Sequence, residues 1–253
     1  MVAVEGFTPS VEAFQFPNAW PQVAAFTIRV LGVDVEVGNA ARGLCGGMVF
    51  AVRDYFEAGV AVPQDMVAPR SGPLYEYVGR RLKESFDLPL GPSKYLQFMA
   101  SPDGDKGIPL LSWLIKPRVR GIAWYTIHDE VPKILVDIDS GKLSCIGLVC
   151  AQGVDPKDLG MNHQVLAYKY ERAVGSVKIW VYDPNRPHGD DAYLEFATDR
   201  PTKATPIRFI NGSKQVRGFF RVAYRHSTPP SDPLGSSSAG PREPRPKRVE
   251  RGD

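Results

Sequence analysis

The chain is poor in cysteine, with three in 253 residues, and so small and odd a number does not describe a disulfide framework. A reducing compartment follows, with the cytoplasm as the default location. No uninterrupted apolar run approaches the roughly 18 residues that would suggest a transmembrane helix, so no membrane partner is expected. The N-terminus, Met1-Val2-Ala3-Val4-Glu5-Gly6-Phe7, lacks a basic region followed by a long apolar block, and no secretory signal is read there. Charge of one sign is also missing. Thirty-one Lys and Arg stand against 28 Asp and Glu, a net of +3, and the two signs are interspersed, which argues against a nucleic-acid partner. Gly43, Gly46 and Gly47 reproduce no phosphate-binding or dinucleotide fingerprint. Cys145 and Cys150 lie five apart in an apolar run with opposite side-chain parity, so they read as core residues and not as metal ligands. No cofactor and no metal is expected, and no repeat of fixed period is present.

What is there is enough apolar residue, 43%, for a substantial core. The spacing predicts an α+β domain over residues 1–226. Residues 1–22 read as an irregular lead-in that packs Phe14, Phe16 and Trp20 onto the domain. Phe26 to Val37 alternates around Gly32 as a hairpin or bent strand. Helices are expected over 45–58, stopped by Gly59, and over 73–86, where Leu74, Val78, Leu82 and Phe86 form an apolar row. Residues 87–109, with several Gly, Pro and Asp, read as loop with short turns around Tyr95 to Met99. A helix carrying Val131, Leu135 and Ile138 ends at Ser140-Gly141. Strands follow at Cys145–Cys150, His163–Tyr170, Ser176–Tyr182, Tyr193–Phe196, Thr205–Ile210 and Gly218–Tyr224. Residues 227–253 hold six prolines, five basic and four acidic residues and no aromatic side chain, and are expected to be disordered. The closing Arg251-Gly252-Asp253 matches an adhesion tripeptide only by coincidence of composition.

The most informative stretch runs from Gly43 to Phe56. Cys45 sits in a glycine-bracketed turn at the start of a helix whose Val49, Val52 and Phe56 share a face. Unpaired N–H groups and the positive end of the dipole favour an anion there, and a thiolate is an anion. Gly46 and Gly47 are read as leaving the sulfur unhindered. Downstream come His163, opening a strand, and Asp183, ending one, in the chain order Cys, His, Asp. A thiol nucleophile needs an imidazole to move the proton and a third group to fix the imidazole. It also needs a donor to the developing oxyanion. Asn39, six residues before Cys45, fits that last need. His128, His188 and His226 have no such partners and read as surface residues. Asp183-Pro184-Asn185 also reads as a strand-terminating Asx turn, which is compatible with a catalytic carboxylate.

The six-residue offset of Asn39 from Cys45 resembles papain-like cysteine peptidases, which carry a glutamine at that offset. The likeness is closer to the bacteriocin-leader-processing branch (peptidase C39-like). There, as in Cys45-Gly46, the cysteine is followed by glycine. The helix Ile134 to Ser140-Gly141 leads into an apolar strand. His163-Gln164-Val165-Leu166-Ala167-Tyr168 matches the histidine-opened strand, and Val181-Tyr182-Asp183-Pro184 the strand ending in Asp-Pro. The resemblance covers roughly residues 26–225. Asn39 departs from the usual glutamine, and Gly47 and Met48 from the usual small residue and proline. It implies a helical half bearing Cys45 packed on an antiparallel sheet half, a thioester-forming hydrolase of amide or isopeptide bonds, and a peptide or protein as substrate. It also implies an alternative orienting residue, Asn185, since papain uses an amide in that role. A transpeptidase or acyltransferase, and an inactive peptide-binding module of the same fold, remain open at this point.

Overall fold

A computed structural model describes residues 1–20, 26–30, 33–37, 43–86, 90–107 and 118–233. In chain order these form β1 (Val2–Ala3), α1 (Pro9–Glu12), β2 (Phe26–Val30), β3 (Val33–Val37), α2 (Cys45–Glu57), α3 (Pro73–Ser85) and α4 (Leu90–Ala100). Then come β4 (Lys106–Gly107), β5 (Arg118–Val119), α5 (Ile122–Trp124), α6 (Val131–Asp139), β6 (Ser144–Val149), β7 (His163–Ala173), β8 (Ser176–Tyr182), β9 (Tyr193–Ala197), β10 (Arg208–Ile210) and β11 (Gly218–Arg221). The class is α+β.

The helical half is built on α2. Every residue from Cys45 to Tyr55 is buried, so this is a central helix and not an amphipathic surface one. It ends where Gly59 takes φ +64°, with Val60 N–H bonded to the Tyr55 carbonyl (3.0 Å) and Gly59 N–H to that of Phe56 (3.1 Å). This is the glycine-terminated cap that a left-handed residue makes possible. α3 runs antiparallel to α2, because Gly46 meets Ser85 while Asp54 meets Tyr77 and Arg81. The approach is close enough that a Cβ on Gly47 would stand 2.1 Å from the Val78 carbonyl oxygen. Asp54 and Arg81, both fully buried, pair at 2.7 and 3.0 Å. Tyr77 and Tyr224 hydroxyls, each at 2.8 Å, and Ser227 N–H at 2.9 Å complete the carboxylate's partners. A buried charge is tolerable only with that degree of satisfaction. Phe14 and Phe16 stack at 4.9 Å and pack with Trp20 and Tyr55.

The sheet is antiparallel, in the order β10-β9-β8-β7-β6-β11, with β1 added to β7 beyond the end of β6 (Val2 opposite Tyr170). Leu148 pairs with His163 across β6 and β7, and Leu166 with Tyr182 across β7 and β8. The outer edge of β11 is sealed by side chains of the preceding helical segment. Phe219 N–H donates to Thr126 Oγ1 (3.1 Å) and Arg221 N–H to Glu130 Oε2 (2.9 Å), so that edge offers no ladder to another chain.

Four expectations need correction. Residues 90–100 are one helix, α4, and not loop with turns: Pro92 lies in the first turn, where its missing N–H costs nothing. The helix expected from Val131 begins at Ile122, and a π turn, Tyr125–Glu130, joins α5 to α6 just ahead of Pro132. The strand expected from Thr205 starts only at Arg208, because Pro206 cannot donate to a ladder. Residues 227–233 of the expected disordered tail are docked on the helical half: Tyr77 donates to the Ser227 carbonyl (2.9 Å) and Leu74 N–H to that of Pro233 (3.0 Å). Residues 234–253 lie outside the described residues.

Candidate active site

Cys45 is the first residue of α2 and is buried. The His163 ring and the backbone N–H groups of Gly46 and Gln164 are the groups near enough to the Cys45 sulfur to favour its thiolate. His163 opens β7 and Asp183 follows β8. Because these strands are antiparallel with Leu166 opposite Tyr182, the two ends are neighbours. His163 Nε2 meets Asp183 Oδ1 at 2.7 Å, which leaves Nδ1 for the sulfur. Both side chains are buried. Tyr95 hydroxyl, from α4, donates to the His163 carbonyl (3.3 Å) and braces the strand end.

Asp183 is fully occupied. Its Oδ1 also accepts Asn185 N–H (2.9 Å), the Asx turn read from the sequence, and Oδ2 accepts Ser213 N–H (3.1 Å). Burial alone would raise this carboxyl's pKa. The His163 hydrogen bond and charge, the Asn185 N–H and the Ser213 side chain outweigh it and hold the pKa below the usual carboxylate value.

The same contest decides the other two groups. Burial opposes the Cys45 thiolate, but the His163 charge, its hydrogen bond and the Gln164 and Gly46 N–H groups win, and the thiol pKa falls. Burial opposes the imidazolium too, yet Cys45 and Asp183 carry His163 from 6.5 to about 10. Each charge compensates the desolvation of the other. Both shifts run toward a thiolate beside an imidazolium, the combination that makes a cysteine a nucleophile.

Of the residues selected from sequence, Cys45, His163 and Asp183 are brought together. Asn39 lies outside the described residues. The Asn185 side chain accepts from Asn18 (3.0 Å) and donates to Ser213 Oγ (3.0 Å), and the side chain bonded to the His163 ring is that of Asp183. Gly46 and Gly47 do not serve to clear space above the sulfur. A Cβ on Gly46 would stand 2.3 Å from Ser85 Oγ and 2.9 Å from the Gln164 amide, so both glycines serve the approach of α3 and β7 to α2. Cys145 and Cys150 are pushed the opposite way from Cys45, to about 11 and about 12, by burial. His128, His188 and His226 are all exposed, His128 stacked on Trp124 at 4.9 Å. Among the described residues, no three His, Cys, Asp or Glu side chains are placed to share a metal ion. No helix among them is long and apolar enough to cross a membrane.

Sequence reasoning missed Asn18, Ser213, Tyr95 and Gln164. Asn18 alone carried a signal, an amide between two prolines at Pro17-Asn18-Ala19-Trp20-Pro21. The chain matches no family model, and comparison with curated proteins and with solved structures likewise finds no match.

Proposed function

We propose that this chain is a papain-like cysteine peptidase, or a related hydrolase of amide or isopeptide bonds. One observation carries the reading: a thiol at a helix N-terminus with its pKa lowered, against an imidazole with its pKa raised, that imidazole held by a buried carboxylate. The Cys45 thiolate attacks a carbonyl carbon, and the C=O electron pair moves to the oxygen. Asn39, at its offset of six residues, is the side chain assigned to that oxyanion. As the tetrahedral intermediate collapses, the C–N bond breaks and His163 gives its proton to the departing amine. The acyl group stays on sulfur as a thioester. His163, now neutral, takes a proton from water as the water attacks, the acid leaves, and thiolate and imidazolium are restored. Asp183 holds the ring in the tautomer that this shuttle needs.

Alkylation of Cys45 by iodoacetamide at about pH 6, followed by peptide mapping, tests the reading. Fast modification at Cys45 and slow modification at Cys145 and Cys150 is the expected result, because only a thiolate reacts appreciably there. Incubation with a proteome-derived peptide library should then yield cleavages with wild type and none with Cys45→Ser. Equal, slow alkylation of all three thiols would refute the reading. Fast alkylation without cleavage would point to a transferase or a binding module.

A further inference from the structure

Cys45 and Asp183 belong to different halves of the fold, and a single amide joins their supports. Asn18 Oδ1 accepts Leu44 N–H (2.8 Å) and Trp20 Nε1–H (2.9 Å). Its Nδ2 donates to Asn185 Oδ1 (3.0 Å), and its own N–H to the Pro184 carbonyl (2.9 Å). Leu44 immediately precedes Cys45, and Pro184-Asn185 immediately follow Asp183. Asn185 in turn holds Asp183 Oδ1 through its N–H and Ser213 through its side chain, while Ser213 N–H holds Oδ2. One lone pair of Asn18 Oδ1 is therefore spent on the nucleophile's side and the other on Trp20 in its own segment, while Nδ2 and the backbone N–H both reach the carboxylate's side. The chain is shaped around this amide. Gly43 takes φ +61°, and a Cβ there would stand 2.3 Å from Asn18 Nδ2.

We infer that Asn18 is a positioning residue of this site, setting the separation of the Cys45 sulfur from the His163 ring by tying Leu44 to Pro184-Asn185. The inference rests on the Cys45–His163 pair being the reactive centre. Its physical basis is that the attraction between the two charges, and above all the hydrogen bond between them, weakens steeply with small displacements. A looser pair lowers the thiol less and raises the imidazole less.

The experiment is the pH dependence of Cys45 alkylation by iodoacetamide, from roughly pH 4 to pH 10, read by peptide mapping alongside thermal melting. It compares wild type, Asn18→Ala, Asn185→Ala and, as a control, Tyr170→Phe, which loses its 2.6 Å bond to Asp139 at the far end of β7. The midpoint should rise by about one pH unit in Asn18→Ala, less in Asn185→Ala, where the Leu44 contact survives, and not at all in Tyr170→Phe. A folded Asn18→Ala that melts lower yet alkylates on the wild-type curve would overturn the inference and leave Asn18 a structural staple. If Asn18→Ala does not fold, Asn185→Ala decides, and an unmoved midpoint overturns it as well. A wild-type midpoint near the ordinary thiol value would instead overturn the reactive centre itself, and this inference with it.

Discussion

Cys45 and Asp183 together sustain the raised His163, and Asp183→Asn isolates the carboxylate's share. The substitution keeps an acceptor for His163 Nε2 at 2.7 Å and for Asn185 N–H, and removes only the negative charge and one acceptor toward Ser213 N–H. A hydrogen bond to a charged group contributes about 1.5–3 kcal/mol, against about 1 for a neutral one. One pH unit corresponds to about 1.4 kcal/mol, so the difference of about 0.5–2 kcal/mol should take roughly half a unit to one and a half units from the imidazolium's elevation. His163 is pushed up to about 10 with the carboxylate in place; in the variant the midpoint should fall to about 9. Because the folded value lies above the unfolded 6.5, the stabilisation from this group is complete below about 6.5 and is lost as pH climbs through about 10. The variant should therefore lose stability at lower pH than wild type does. Titration of the imidazole C–H resonances in labelled protein reads the midpoint directly, with His163→Gln assigning the signal among four histidines. A His163 midpoint unchanged by Asp183→Asn would show that the carboxylate only fills space. A wild-type midpoint near 6.5 would remove the thiolate–imidazolium pair from the argument.

The parts of this site that could be read in sequence are those whose signal is local. Cys45 stands out because glycine punctuation and a helical period meet within a dozen residues, and Asp183 because Asp-Pro-Asn closes a strand by its own chemistry. His163 needed only strand alternation and chain order. Asn18 shows in sequence only as an amide between two prolines; what it does depends on Leu44, 26 positions away, and on Asn185, 167 away, and no periodicity reaches that far. Ser213 acts on Asp183 from 30 positions away, through its backbone N–H and its side chain, and no local pattern ties the two together. Gly46 and Gly47 were visible but ambiguous: a glycine beside a nucleophile reads as access, and only the position of Ser85 and Val78 shows that it is helix contact. The segment after Ser227 misled for a related reason. Composition measures the apolar area a segment can bury, whereas Ser227 and Pro233 are held by backbone hydrogen bonds to Asp54, Tyr77 and Leu74.

That docking makes chain length a test. Ending the chain at His226 removes four hydrogen bonds to α2 and α3, including one to the buried Asp54 carboxylate, and should lower the melting temperature by several degrees. Ending it at Pro233 keeps all four and should leave melting within about a degree of full length; equal melting of the two truncations would show that the segment contributes nothing. The helix contact is tested by a pair of glycine substitutions with opposite expected signs. Gly79→Ala in α3 meets no atom within 4 Å and should gain up to about 1 kcal/mol from helix propensity. Gly47→Ala has the same propensity gain but places a methyl 2.1 Å from the Val78 carbonyl oxygen, a backbone atom that moves only if α3 moves. Overpacking of that kind costs about 1–3 kcal/mol, enough to reverse the sign. Because α3 also carries Ser85 against Gly46 and the Gln164 amide, the shift should reach the N–H groups facing Cys45 and slow its alkylation near neutral pH. A Gly47→Ala protein as stable and as reactive as wild type would mean that α2 and α3 are not held at this separation.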